Sequence, residues 1–183
     1  MSESAFRSFA ESKGFHAYTL SRWLSWQAAD RAALAKLALD LKIGENHLRD
    51  LMDWSEEIAL RDGIAIAAIL AGKAFDDIST NPRLGRADKV KRIKESLRRL
   101  RFPRLARVED EIQGKIRALK LQPEIRLTVA SGLEGGRLQV DFSVTNQQEL
   151  KRLADKLAAA AETRVASEIF TLLGGTANSS EPI

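Results

Sequence analysis

The chain contains no cysteine, which excludes disulfides and thiolate metal sites outright. Histidine is nearly absent as well. His16 and His47 lie in different segments without the spacing of a metal-ligand pair. No long hydrophobic run occurs. The most apolar stretch, Ile64 to Ala71, is far shorter than the ~20 residues that span a bilayer. Met1-Ser2-Glu3-Ser4 lacks the basic, then apolar, character of a secretory leader. These absences point to a soluble protein in a reducing compartment, with cytoplasm as the expectation and no membrane partner.

Residues arranged for catalysis are scarce too. Glu56-Glu57 and Asp76-Asp77 are adjacent pairs, so on a helix they diverge instead of sharing a substrate. Gly135-Gly136 lies within a hairpin pattern, not between a strand and a helix, and does not read as a phosphate loop. No serine occupies a nucleophile elbow. The chain reads as a non-enzyme with no cofactor.

Basic residues are abundant, and they are concentrated. Between Arg83 and Arg107 eleven basic side chains face only two acids, Asp88 and Glu95, a local charge of +9. The other residues, eighteen basic and twenty-three acidic, sum to −5. A cationic stripe on an otherwise acidic chain suits an anionic partner, nucleic acid foremost and DNA in particular. The candidate phosphate contacts are Arg86, Lys89, Lys91, Arg92, Lys94, Arg98, Arg99, Arg101 and Arg104. Two other readings stand beside this one. The stripe could pair internally with the acidic segment Asp50, Asp53, Glu56 and Glu57, or it could simply be solvated. The rival function is a scaffold whose basic helix docks on an acidic protein.

With 183 residues, 44% hydrophobic and 30% charged, the chain is long and apolar enough for a real core. Helical periodicity runs from Ser2 to about Lys120. Phe6, Phe9 and Ala10 mark a helix stopped near Gly14, and Leu20, Trp23 and Leu24 mark a second. Leu34, Leu37 and Leu41 follow, with Gly44 as an expected left-handed cap. Leu48, Leu51, Met52 and Ile58 run to Asp62-Gly63, and Ile64–Leu70 reads as a buried helix. Ser79–Pro82 reads as a loop. A helix from about Asp88 then carries Val90, Ile93, Leu97 and Leu100 until Pro103 interrupts it. Leu105, Val108, Ile112, Ile116 and Leu119 form a narrow seam on the next helix.

After Pro123 the period becomes two. Ile125, Leu127 and Val129 alternate with polar residues, as do Leu138, Val140, Phe142 and Val144, and a glycine-rich turn separates the runs. This predicts a β-hairpin. Thr145 and Gln148 suggest a capping box that opens a helix continuing to Gly174-Gly175. The fold class expected is α+β and predominantly α-helical, a helical bundle followed by a helix–hairpin–helix module. The expected divisions are 1–82 helical, 83–122 basic linker helices, 123–175 hairpin plus helix, and 176–183 a disordered tail. A lone hairpin leaves a sheet edge unpaired. A homodimer through Leu105, Val108, Ile112, Leu138, Val140 and Phe142 would resolve that.

Two weaker motifs belong here. Leu39, Ile43, Gly44, Leu51 and Trp54 approach helix-turn-helix spacing, but the second helix carries four acids that would repel a duplex. Trp23, Trp26, Tyr18 and His16 could stack on bases, although core or interface roles suit such aromatics better.

Leu133-Glu134-Gly135-Gly136-Arg137-Leu138-Gln139-Val140-Asp141-Phe142, followed by Glu149-Leu150-Lys151-Arg152-Leu153, resembles the C-terminal dimerisation module of ParB-type partition proteins. The similarity runs from about Leu105 to Ala160. It implies a dimer and sequence-independent DNA contact, with no nucleotide chemistry, since that family's nucleotide signature has no counterpart here.

Overall fold

A computed structural model describes residues 3–177. The fold is predominantly α-helical, with one small antiparallel sheet. The chain divides between Phe102 and Pro103 into two compact units. The expected linker 83–122 is therefore not one element. Its first helix closes the first unit and its second opens the other.

The first unit holds α1 (Glu3–Ser12), α2 (Ala17–Ser25), α3 (Ala28–Leu41), α4 (Glu45–Asp62), α5 (Ile66–Leu70), α6 (Lys73–Thr80) and α7 (Arg86–Arg101). Phe6, Trp23, Leu34, Leu48, Leu51, Met52, Ile58, Ile93 and Leu97 form its centre. The Phe6 and Trp23 rings lie 4.5 Å apart. Trp26 is buried as well, so both of these tryptophans are core residues, whereas Tyr18 is exposed.

Local chemistry sets the helix ends. His16 Nδ1 accepts from the Tyr18 amide and caps α2. Gly44 is not the left-handed cap that the sequence suggests. Lys42 makes that turn at φ 49°, its amide donating to Ala38 and Leu39 carbonyls. Gly44 is extended because α4 starts directly after it. Gly63, at φ 66°, does end α4 in the left-handed region.

The alanine-rich helix begins at Ile66, not Ile64. The buried Asp30 accepts from the Ala67 amide at 2.6 Å and so satisfies an otherwise orphaned donor in its first turn. α6 was not anticipated, and it overlaps the expected loop at Ser79-Thr80; Phe75 is its buried anchor. α7 starts at Arg86, two residues early, and Leu100 is exposed instead of joining its apolar face. Phe102 leaves helical geometry ahead of Pro103, as a residue before proline does.

The second unit begins with α8 (Pro103–Ala118), proline sitting in the first turn where its missing donor costs nothing. Strands β1 (Arg126–Val129) and β2 (Leu138–Asp141) pair antiparallel, with Leu127 opposite Val140 and Arg126 opposite Asp141. A kinked turn over Ser131–Gly136 joins them. Gly132 and Gly135 take φ near 75° there, and Glu109 Oε1 accepts from the Gly132 amide. Ile112, Ile116, Ile125, Leu127, Leu133, Leu153, Ile169 and Leu173 form the core.

The capping box lies one residue later than expected. Asn146 Oδ1 accepts from the Glu149 amide, while Glu149 Oε2 accepts from the Thr145 amide and hydroxyl. The expected single C-terminal helix is two, α9 (Gln147–Ala161) and α10 (Arg164–Ala177), broken at Glu162-Thr163. α10 passes through Gly174-Gly175, so Thr176 and Ala177 of the expected tail are helical. Residues 178–183 of that tail lie outside the described residues. Among the described residues no helix is long and apolar enough to cross a membrane.

Candidate nucleic-acid interface

Helix α7 places most of the stripe. Val90, Ile93 and Leu97 recur at three- and four-residue steps and turn one face inward, so the intervening cations project from the other faces. They fall into two groups. Lys94 Nζ meets Asp50 Oδ2 at 2.7 Å and lies 5.4 Å from the Trp54 ring. Arg98 grips Glu95 with two nitrogens at 2.8 and 2.9 Å. That bond, with the nearby Arg99 charge, holds the Glu95 carboxyl below its ordinary range. Arg101 pairs with Glu57, and Lys89 donates to the Ser79 carbonyl at 2.7 Å. Arg99 is half-buried.

Internal pairing therefore occupies Lys89, Lys94, Arg98 and Arg101, two of them, Lys94 and Arg101, against the acidic helix α4. Arg86, Lys91 and Arg92 differ. All three are exposed, and none has an ion pair among the described residues. Arg83, in the loop before α7, is exposed too, and Arg104 is exposed on α8 of the second unit.

The same pairing changes the reading of α4. Arg22 binds Asp53 at 2.6 Å and Glu56 at 2.6 Å, and Trp26 Nε1 also donates to Glu56. Together with Lys94 and Arg101, this gives each of the four acids a cation. Ahead of them, in the first two turns, Asn46, His47 and Arg49 are exposed. Lys42, Ile43 and Gly44 make a three-residue turn between α3 and α4, as in a helix-turn-helix. Glu45 faces inward. It accepts from the Thr19 hydroxyl at 2.5 Å and from the His16 amide at 2.9 Å, which hold its carboxyl below the ordinary range.

The expected dimer residues also separate. Ile112 is fully buried in its own unit's core, and Leu105, Val108 and Leu138 pack against that core, because the α8 seam meets α10. That seam needs no second copy. Val140 and Phe142 remain 38% and 37% exposed, and Val144, which continues the alternation, is 38% exposed. Beside β2 no third strand pairs among the described residues.

Comparison with protein-family models, with curated proteins and with solved structures finds no match.

Proposed function

We propose that this is a non-enzymatic nucleic-acid-binding protein that contacts duplex DNA through α7 and the start of α4. The carrying observation is that Arg86, Lys91 and Arg92 are exposed and have no ion pair among the described residues. Charge that a fold does not use internally is free to meet phosphates and release their counterions. The first turns of α4 supply Asn46, His47 and Arg49, side chains able to donate to phosphates or base edges, and the four acids that would repel a duplex are offset in large part by the three cations Arg22, Lys94 and Arg101. The protein acts as a homodimer through β2 and the residues just after it, where the exposed Val140, Phe142 and Val144 would pack against a second copy. Dimerisation doubles the contacts made by one particle. The partition-protein resemblance suggests the same assembly.

The test is the salt dependence of duplex affinity. Replacing Arg86, Lys91 and Arg92 together by glutamine removes three candidate contacts per chain, and each should lower the log–log slope by about 0.9. Replacing the paired Lys94 and Arg98 should leave the slope near that of the wild type. An unchanged slope in the triple variant refutes the assignment, and absence of duplex binding by the wild type refutes the function.

A further inference from the structure

The open edge of β2 carries none of the devices that keep sheet edges apart. Residues 137–144 hold no proline and no lysine, and the pairing with β1 runs without a bulge. The charges on this strand are instead of opposite sign and evenly placed. Arg137, itself extended, lies two residues before Gln139, and Asp141 lies two residues after it. All three share the face of the strand turned away from the core, because Leu138 and Val140 alternate with them and lie opposite Val129 and Leu127. Arg126, Arg137 and Asp141 are exposed, and none has an ion pair among the described residues. Asp141 accepts from Gln139 Nε2 at 3.0 Å.

A two-fold assembly makes residue i of one copy meet residue j of the other, and j meet i. Two β2 strands running antiparallel about Gln139 therefore set Arg137 against the partner's Asp141, and Asp141 against the partner's Arg137. Asp141 already lies opposite Arg126 in its own hairpin, so it would stand between two arginines. On the other face Val140 meets the partner's Leu138, which extends the apolar row begun by Leu127 and Val140. That contact covers Val140, left 38% exposed in one chain. Other registers lack this match. A shift of two residues sets Gln139 against Asp141 or Arg137, and a shift of four sets Asp141 or Arg137 against its own copy, where like charges repel. A shift of one residue turns the apolar side chains to the wrong face.

We infer that β2 recognises a second copy of this chain through a self-complementary charge pattern, in one antiparallel register centred on Gln139, to give a continuous four-stranded sheet. Arg137 and Asp141 select the partner, and Leu138 and Val140 supply the apolar contact beneath them. This register rests on the homodimer reading above and goes beyond it by fixing the edge, the alignment and the two residues that discriminate. A strand of another protein that lacks the same spacing of opposite charges would meet Arg137 and Asp141 without partners.

The chain has no cysteine, so a single introduced one reports its own position. Under mild oxidation Gln139→Cys should form a disulfide-linked dimer, since the two-fold sets that position against its own copy, and Ser143→Cys should not. Charge gives the second test. Arg137→Glu and Asp141→Lys each turn both cross-copy pairs into like charges, and each should dimerise at least about tenfold more weakly in sedimentation. Mixed in equal amounts, the two variants restore opposite charges in both pairs, and native mass spectrometry should show the mixed dimer in excess over either homodimer. Arg137 lies outside the hairpin's own pairs, so Arg137→Glu leaves each hairpin intact, and recovery on mixing separates lost charge from lost structure. Should Asp141→Lys lose its helical melting transition, Arg137→Glu and the two cysteine variants decide alone. A wild-type dimer in which Gln139→Cys fails to cross-link, or in which Arg137→Glu associates as the wild type does, overturns the register and leaves the homodimer standing. So does a mixture of two folded variants that restores no dimer. A wild-type chain that stays monomeric at every concentration removes the homodimer reading and this register with it.

Discussion

Phe142 separates a solvated strand from an interface. With 37% of its surface exposed in one chain, about two-thirds of the side chain is already covered. A fully buried phenylalanine costs roughly 3–5 kcal/mol when cut back to alanine, so burial within one chain accounts for about 2–3 kcal/mol. If a second copy covers the rest, Phe142→Ala should approach the upper range, and its effect should depend on concentration. Unfolding of a dimer into two chains is itself sensitive to dilution. From 50 to 1 μM the stability of a two-state dimer falls by about 2.3 kcal/mol, from RT ln 50.

The signal must come from the right unit. Trp23, Trp26, Trp54 and Tyr18 all lie before Phe102, so indole fluorescence follows the first unit alone. The second unit is seen as the part of the far-ultraviolet dichroism transition that does not track fluorescence. Wild-type chain is unfolded in urea at both concentrations, then Phe142→Ala and Ile125→Ala. Ile125 is fully buried and serves as the core reference, with an expected loss of 2–5 kcal/mol at either concentration. The wild-type second transition should move to lower urea on dilution, and in Phe142→Ala that movement should shrink. A wild-type transition that ignores dilution, with Phe142→Ala costing under about 0.5 kcal/mol as exposed changes do, refutes both the interface and the burial estimate.

Three further outcomes test local parts of the fold. Asp30→Ala should destabilise the first unit by about 1–2 kcal/mol in urea unfolding, because the Ala67 amide loses its acceptor inside a nearly closed site, and Asp30→Asn should recover part of the loss. Gly44→Ser should raise stability by about 0.5 kcal/mol, since Gly44 is the extended N-cap of α4 and an added Cβ meets no atom within 4 Å; a lower melting temperature would contradict that cap. Glu124 is held below its ordinary value of 4.5 by Lys156 first and Arg152 second, so its stabilising effect is complete above that value and disappears as pH falls through the lower folded value. In acid titrations followed by dichroism, Glu124→Gln should therefore lose less stability between neutral pH and pH 3 than wild type does.

Much of the architecture was legible from spacing alone. Leu48, Leu51, Met52 and Ile58 locate α4, and the switch from a period of 3.6 to 2 after Pro123 locates both strands, because periodicity reports which face is buried. The misreadings occur where one or two atoms decide the outcome. α6 buries only Phe75 in eight residues, too little for a stripe. Gly44 and Lys42 exchange cap roles because α4 starts one residue after the glycine. The break at Glu162-Thr163 interrupts a pattern of leucines and alanines that would otherwise have continued.

The acids of α4 show a deeper limit of reading charge from sequence. Asp50, Asp53, Glu56 and Glu57 look like a barrier to any duplex, and the sequence leaves open whether the stripe on α7 is available or paired with them. Pairing across elements divides the stripe between the two. Arg22, thirty-one residues before Asp53, and Lys94, forty-four residues after Asp50, quench the acids and are themselves consumed in doing so. Net charge per segment is conserved by this exchange, but the charge a partner can meet is not. The second quantity governs recognition, since a cation already fixed on a carboxylate must break that contact before it binds phosphate. Lys94, Arg98 and Arg101 are therefore held on carboxylates, and under the proposed function Arg86, Lys91 and Arg92 are the cations that would engage what arrives there.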